Sequence, residues 1–117
     1  MNDVIHFYKV DDLENVKNFY EGILELSLYK DQGKCLIYHL NGYGKVGFCT
    51  HHPSKKNDTT CITFVYATTK QVDAIYEKLK SHGLGIEEPS INPNFNIYHF
   101  FVKDYEGHTL EFQAFLK

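Results

Sequence analysis

The chain contains no tryptophan, no CxxC pair, no block of like charge and no apolar run long enough to cross a bilayer. A spanning helix needs about 20 predominantly apolar residues, so no membrane partner is expected. The N-terminus, MNDVIHFYKV, has no basic start followed by a long apolar stretch. No signal peptide is therefore visible, and a cytoplasmic location is expected. Cysteine is scarce. Cys35, Cys49 and Cys61 are odd in number, and free thiols in a reducing cytoplasm are the expectation. Positive charge is not in excess: the formal net charge is −3, and Lys55-Lys56 is only a short loop pair. That balance argues against a nucleic-acid partner held by phosphate neutralisation. Neither a nucleotide-binding loop nor a nucleophile–base motif is present.

What the chain does have is a globular composition, 43% apolar and 15% aromatic, with nine Tyr and nine Phe supplying the rings. Its 117 residues suit one domain with one core. The most informative stretch is IYHFFVKDYEGHTLEFQAF, residues 97–115. Aromatic and β-branched residues, a turn at Asp104-Tyr105-Glu106-Gly107 and an alternating second run predict a β-hairpin. Asp104 can accept from backbone amides at the turn, and Gly107 suits a positive φ. Leu110, Phe112 and Ala114 share one strand face, which suits a core. Glu111, Gln113 and Phe115 share the other. Glu111 is either an ordinary surface residue or a carboxylate lining a cavity.

Upstream, residues 4–10 read as a strand. His6, Tyr8 and Val10 lie on one face, and Ile5, Phe7 and Lys9 on the other. Asp11 with Glu14 signals a helix start, followed by a stripe through Leu13, Val16, Phe19, Tyr20, Ile23 and Leu24. Strands are expected over 26–30, 35–40 and 45–50, then a polar loop over 51–58. The second half repeats the plan: a strand over 61–66, a capping box at Thr68 and Gln71, and a stripe through Val72, Ile75, Tyr76 and Leu79. Gly83 suits the helix stop. A short strand is expected over 84–87, a turn-rich loop over 90–96, and then the hairpin. An offset of 56 aligns Val16 with Val72 and Tyr20 with Tyr76; Ile37-Tyr38-His39 returns as Ile97-Tyr98-His99 at an offset of 60. Each half is therefore read as βαβββ.

These details resemble the vicinal oxygen chelate superfamily, which includes glyoxalase I, bleomycin-resistance proteins, fosfomycin-modifying thiol transferases and extradiol dioxygenases. The carrying residues are Val10-Asp11-Asp12-Leu13-Glu14 with Phe19-Tyr20, the second helix Val72-Asp73-Ala74-Ile75-Tyr76-Glu77-Lys78-Leu79, and Phe101-Val102-Lys103-Asp104-Tyr105-Glu106-Gly107-His108-Thr109-Leu110-Glu111. Tyr105 and His108 depart from the usual Pro and Asn of that last motif. The resemblance implies an α+β fold, with two tandem βαβββ modules forming a curved mixed sheet around a central cleft and helices on the outer face. It implies one domain over 1–117, with module one at about 1–52, a linker at about 53–59 and module two at about 60–117. It also implies a small-molecule partner and a homodimer.

In function the resemblance implies one of two classes. The first is a divalent-metal-dependent lyase, isomerase, thiol transferase or dioxygenase using Zn, Ni, Mn or Fe. The second is a metal-free protein that binds or sequesters a ligand. Metal ligands in the superfamily come from the first and last strands of each module, as His, Gln or Glu. Carried over singly, the positions are Ile5, Gly47, Cys61 and Glu111. Glu111 has the right chemistry and Cys61 can bind zinc, whereas Ile5 and Gly47 have no donor. His6, one residue from Ile5, joins Glu111 and Cys61 as a ligand candidate, with a core histidine as the plainer reading. Glu111 is also the catalytic candidate, as ligand or base. Phe7, Cys49, His51 and Gln113 are candidates to line a ligand cleft. Cys35 and Cys49 lie on strands flanking one turn and are expected near each other. His51 and His52 sit at a strand end. His39 and His99 hold equivalent repeat positions, which favours a shared structural task.

Overall fold

A computed structural model describes residues 1–51 and 60–117; His52, the Lys55-Lys56 pair and the linker expected over 53–59 lie outside the described residues. The chain divides into two compact units, Met1–Asn57 and Asp58–Lys117.

Unit one contains β1 (Ile5–Lys9), α1 (Leu13–Val16), β2 (Leu28–Asp31), β3 (Cys35–His39) and β4 (Lys45–Cys49). Its sheet runs β1-β4-β3-β2, with β1 parallel to β4 and the other pairs antiparallel. The helix is capped by Asp12 rather than Asp11. Asp12 is the last extended residue, so its carboxylate reaches the first-turn amide of Glu14 at 2.9 Å. The helix expected over 13–24 is not one α-helix. After Val16 it widens into a π-helical turn, Lys17–Glu21, in which the amides of Gly22 and Leu24 bond five residues back, each at 3.0 Å. Val16, Phe19, Tyr20 and Ile23 stay buried through that change, against Leu36, Tyr38, Val46 and Phe48 of the sheet. The Phe48 and Tyr20 ring centroids lie 4.4 Å apart; fully burying a side chain of this kind contributes about 1.5–3 kcal/mol. Strand β2 begins at Leu28, later than expected, and is interrupted by a bulge between Leu28 and Lys30.

Unit two contains β5 (Cys61–Tyr66), α2 (Thr69–Ser81), β6 (Ser90–Asn92), β7 (Ile97–Lys103) and β8 (Thr109–Phe115), in the sheet order β5-β8-β7-β6. The capping box is present: Thr68 Oγ1 accepts from the Gln71 amide at 3.2 Å, and Gln71 Oε1 accepts from the Thr68 amide at 3.1 Å. Val72, Tyr76 and Leu79 of α2 cover Phe100, Val102, Leu110, Phe112 and Ala114, all buried. No strand forms over 84–87. The fourth strand is β6, inside the stretch expected to be a loop. Ser90 pairs with His99 and Asn92 with Ile97. Asn92 Oδ1 accepts from the Asn94 amide at 3.0 Å and Asn96 takes a φ of 53°, so residues 93–96 turn a hairpin whose first arm looks like turn sequence. The β7–β8 turn forms as its residues require. Asp104 Oδ1 accepts from the amides of Glu106 and His108, and Gly107 has a φ of 84°.

The strand registers define which positions of the two units correspond. In unit one Gly47 lies between Phe7 and Ile37; in unit two Glu111 lies between Thr63 and Phe101. Phe7 therefore corresponds to Thr63, and Ile37 to Phe101. Cys35 faces Cys49 as His99 faces Gln113, so the counterpart of His99 is Cys35. The repeated Ile-Tyr-His string is out of structural register, and the shared task expected for His39 and His99 does not exist. The physical reason is that a hairpin's register follows its turn: His39 pairs with Lys45 as Lys103 pairs with Thr109, so the hairpins correspond at an offset of 64 (103 − 39), not the 60 at which the string repeats. Among the described residues, no helix is long and apolar enough to cross a membrane.

Candidate functional site

Each sheet has a face turned away from its helix. In unit two that face carries Cys61, Thr63 and Val65 of β5, His99 and Phe101 of β7, and Glu111 and Gln113 of β8, through strand alternation and register. Glu111 sits at its centre with both carboxylate oxygens engaged. Thr63 Oγ1 donates to Oε1 at 2.7 Å, and His99 Nδ1 lies 2.6 Å from Oε2. The His99 and Glu111 side chains are each 13% exposed. At this depth a carboxylate without partners carries a large desolvation cost, and two hydrogen bonds offset it. His99 also meets the edge of Phe101, with ring centroids 5.2 Å apart. Val65 and Phe101 are exposed, whereas Gln113 is buried. A cavity of about 410 Å³ opens beside this group, lined by residues that include Glu87, Ser90, His99, Phe101 and Lys103.

The corresponding face of unit one has different chemistry. Gly47 holds the position of Glu111, and the Phe7 ring lies directly over it: a Cβ on Gly47 would meet the ring at 2.5 Å. A polar pair in unit two is thus replaced by an aromatic ring seated on a glycine. Beside it, Cys35 and Cys49 form a cross-strand disulfide, with Cα atoms 4.2 Å apart. The expectation of three free thiols is corrected for these two. Their strands pair in register, and the side chains of directly opposed residues point the same way, so both sulfurs meet. His51 Nδ1 lies 3.6 Å from Cys35 Sγ. Phe7, Cys49 and His51 line one pocket of about 370 Å³, together with Tyr8, Lys9, Gln32 and Cys35.

The remaining candidates are spread over the two sheets. His6 is exposed and lies on the helix-side face of β1, where it pairs with Val46 in a regular register that has no bulge to re-aim it. Cys61 is exposed, with its Sγ 3.9 Å from Thr63 Oγ1. His39 is exposed and packs against the edge of Tyr29 at 5.1 Å. Among the described residues, the group of three metal-capable donors is Cys35, Cys49 and His51, with ligand atoms within 4.8 Å of one another. Glu111, His6 and Cys61 are not part of it. Sequence reasoning missed the His99–Glu111 pair because it assigned His99 by the Ile-Tyr-His repeat. The signal that finds it is the hairpin register, which puts Phe101 opposite Glu111 and His99 two residues away on the same face.

Comparison with known proteins agrees with this architecture. A family model described as the Glyoxalase/Bleomycin resistance protein/Dioxygenase superfamily matches residues 4–112. The chain belongs to that superfamily. A search of curated proteins finds no match. Among solved structures, a glyoxalase/bleomycin resistance protein/dioxygenase from Nocardioides superposes with a TM-score of 0.82 at 16% identity, covering 100% of this chain and 84% of the other. A lactoylglutathione lyase from Agrobacterium tumefaciens gives 0.76 at 16%, covering 95% and 91%. A genomically encoded fosfomycin resistance protein from Listeria monocytogenes gives 0.79 at 16%, covering 97% and 92%. At these identities the likeness shows the fold.

Superfamily members commonly bind a divalent metal, and the residues here do not fit one at the corresponding positions. Ile5 and Gly47 offer no donor, the Phe7 ring occupies the space above Gly47, and Glu111 is already bonded to Thr63 and His99. The Cys35–Cys49–His51 group does not replace them in its disulfide form, since a metal takes thiolates and not disulfide sulfur.

Proposed function

We propose that this chain binds a small organic molecule on the helix-free sheet face of unit two, with no divalent ion at the superfamily's ligand positions. This is the manner of the metal-free, bleomycin-sequestering members. The observation that carries the reading is the Phe7 ring seated over Gly47, which fills a ligand position with hydrocarbon. Phe101 and Val65 supply exposed apolar surface beside Glu111 and His99. Glu111 has acceptor capacity beyond its two bonds. The ligand class that suits this face has an aromatic or apolar body and a cationic or hydrogen-bond-donating group. A volume of about 410 Å³ is within the range of small-molecule pockets.

The test is thermal shift with the oxidised chain against a broad panel of aromatic and cationic small molecules. Ligand-dependent stabilisation that disappears in Glu111→Ala is the expected result. In parallel, the oxidised protein, prepared without a His tag, is expected to carry no stoichiometric Ni, Zn, Mn or Fe. Metal that binds through Glu111 overturns the reading.

A second reading is favoured by the His99–Glu111 hydrogen bond. A carboxylate that orients an imidazole makes a general base, as lyase or isomerase chemistry requires. Turnover lost in His99→Asn with ligand binding retained would establish this second reading. The homodimer implied by the resemblance and the cytoplasmic setting expected from the N-terminal sequence belong to the same proposal; light scattering tests the first.

A further inference from the structure

The Cys35–Cys49–His51 group lies outside the proposed ligand face and has a geometry of its own. The Thr50 amide donates to the Lys34 carbonyl at 2.9 Å, which makes that pair hydrogen-bonded. The next pair along, Cys35 with Cys49, is therefore a non-hydrogen-bonded pair, where opposed side chains approach most closely. His51 follows Cys49 by two residues and returns its ring to the same sulfurs. The Cys35 Sγ to His51 Nδ1 separation is 3.6 Å. A tetrahedral zinc ion with Zn–S of about 2.3 Å and Zn–N of about 2.0–2.1 Å has an S···N edge of about 3.6 Å. Its S···S edge is about 3.8 Å, which two reduced cysteines on this rung reach by side-chain rotation. The 370 Å³ pocket lined by the same three residues leaves room for a fourth ligand.

We propose that reduction of the Cys35–Cys49 disulfide creates a zinc(II) site made of the two thiolates and His51, so that the redox state of unit one gates metal binding. A small-molecule thiolate attacks one sulfur, the S–S bond breaks and the other cysteine leaves as thiolate. A second thiolate then attacks the small-molecule sulfur of that mixed disulfide, and the first cysteine leaves as thiolate; two electrons thus pass from two thiols to the protein disulfide, giving one small-molecule disulfide. Zinc binding releases the thiol protons to solvent. Two sulfur ligands and one imidazole suit zinc, where carboxylate and water ligands suit Mn or Mg. In a reducing compartment the thiol form prevails and the site is assembled; oxidation dismantles it. The site uses none of the residues of the Glu111 face, so it stands or falls separately from the ligand-binding proposal.

The experiment is zinc titration of the full, untagged chain against a chromophoric chelator, with and without a phosphine reductant, with cobalt(II) as a spectroscopic substitute. The expected result is one zinc per reduced chain, no binding by the oxidised chain, and a thiolate-to-cobalt charge-transfer band only after reduction. His51→Ala keeps both cysteines and weakens binding, and Cys35→Ser abolishes the band. Cys61→Ser and Glu111→Ala leave both signals intact. Zinc bound equally by the oxidised chain, no zinc bound by the reduced chain, or binding lost in Cys61→Ser overturns the proposal. Loss of the far-ultraviolet circular dichroism on reduction overturns it too, because the site needs the paired β3–β4 ladder.

Discussion

His99 Nδ1 stands 2.6 Å from Glu111 Oε2, on adjacent strands of one sheet face and with both side chains 13% exposed. Thr63 holds the other carboxylate oxygen at 2.7 Å. The carboxylate is thus the hub of a three-residue polar group on the sheet face turned away from the helix.

Glu111→Ala removes that hub and leaves the His99 imidazole and the Thr63 hydroxyl without their acceptor. The expected cost is about 1–3 kcal/mol of folding stability, read from urea denaturation at neutral pH. Glu111→Gln, which keeps one acceptor oxygen, costs less. Equal stability of Glu111→Ala and wild type would show that the group contributes nothing to the fold.

Gly47→Ala places a methyl group 2.5 Å from the Phe7 ring. Phe7 is 54% exposed, so its ring can swing off the sheet and the cost is modest, about 1 kcal/mol. In a Phe7→Ala background the same substitution meets no ring. A double-mutant cycle should therefore give a coupling of about 0.5 kcal/mol or more. Strict additivity would mean the ring does not rest on Gly47.

Tyr98 Oη donates to Asp73 Oδ1 at 2.5 Å, and that bond, with some desolvation, raises the Tyr98 pKa to about 12. The folded state holds this proton more tightly than the unfolded chain, whose tyrosines titrate near 10. The stability it contributes is therefore present below pH of about 10 and is lost as pH rises towards 12. Tyr38 and Tyr66 are also raised, mainly by burial, so spectrophotometric titration should show several late-titrating phenols, of which one moves to lower pH in Asp73→Asn. A titration in which none moves would separate Tyr98 from Asp73.

The features legible in the chain were those that depend on near neighbours. Thr68 and Gln71 form their capping box within one turn. Asp104 and Gly107 build their turn from four residues, and Leu110 and Phe112 alternate into the core as any strand does. The misread features share a different cause. Ser90–Asn92 has too few residues for alternation to show, and it becomes a strand only because β7 lies beside it. The π turn at Lys17–Glu21 keeps the apolar stripe of an α-helix, so periodicity alone does not expose it.

From sequence alone came the two βαβββ halves, the superfamily and the lack of a ligand-bearing side chain at Ile5 and Gly47; each is carried by local pattern or residue identity. Tertiary structure decided what fills those positions: the Phe7 ring over Gly47, the Cys35–Cys49 bond beside His51, and the pairing of His99 with Glu111. Each of these joins residues from different strands. A shift of one residue in strand register sends a side chain to the opposite face, and register is set by long-range pairing that no short window of sequence contains.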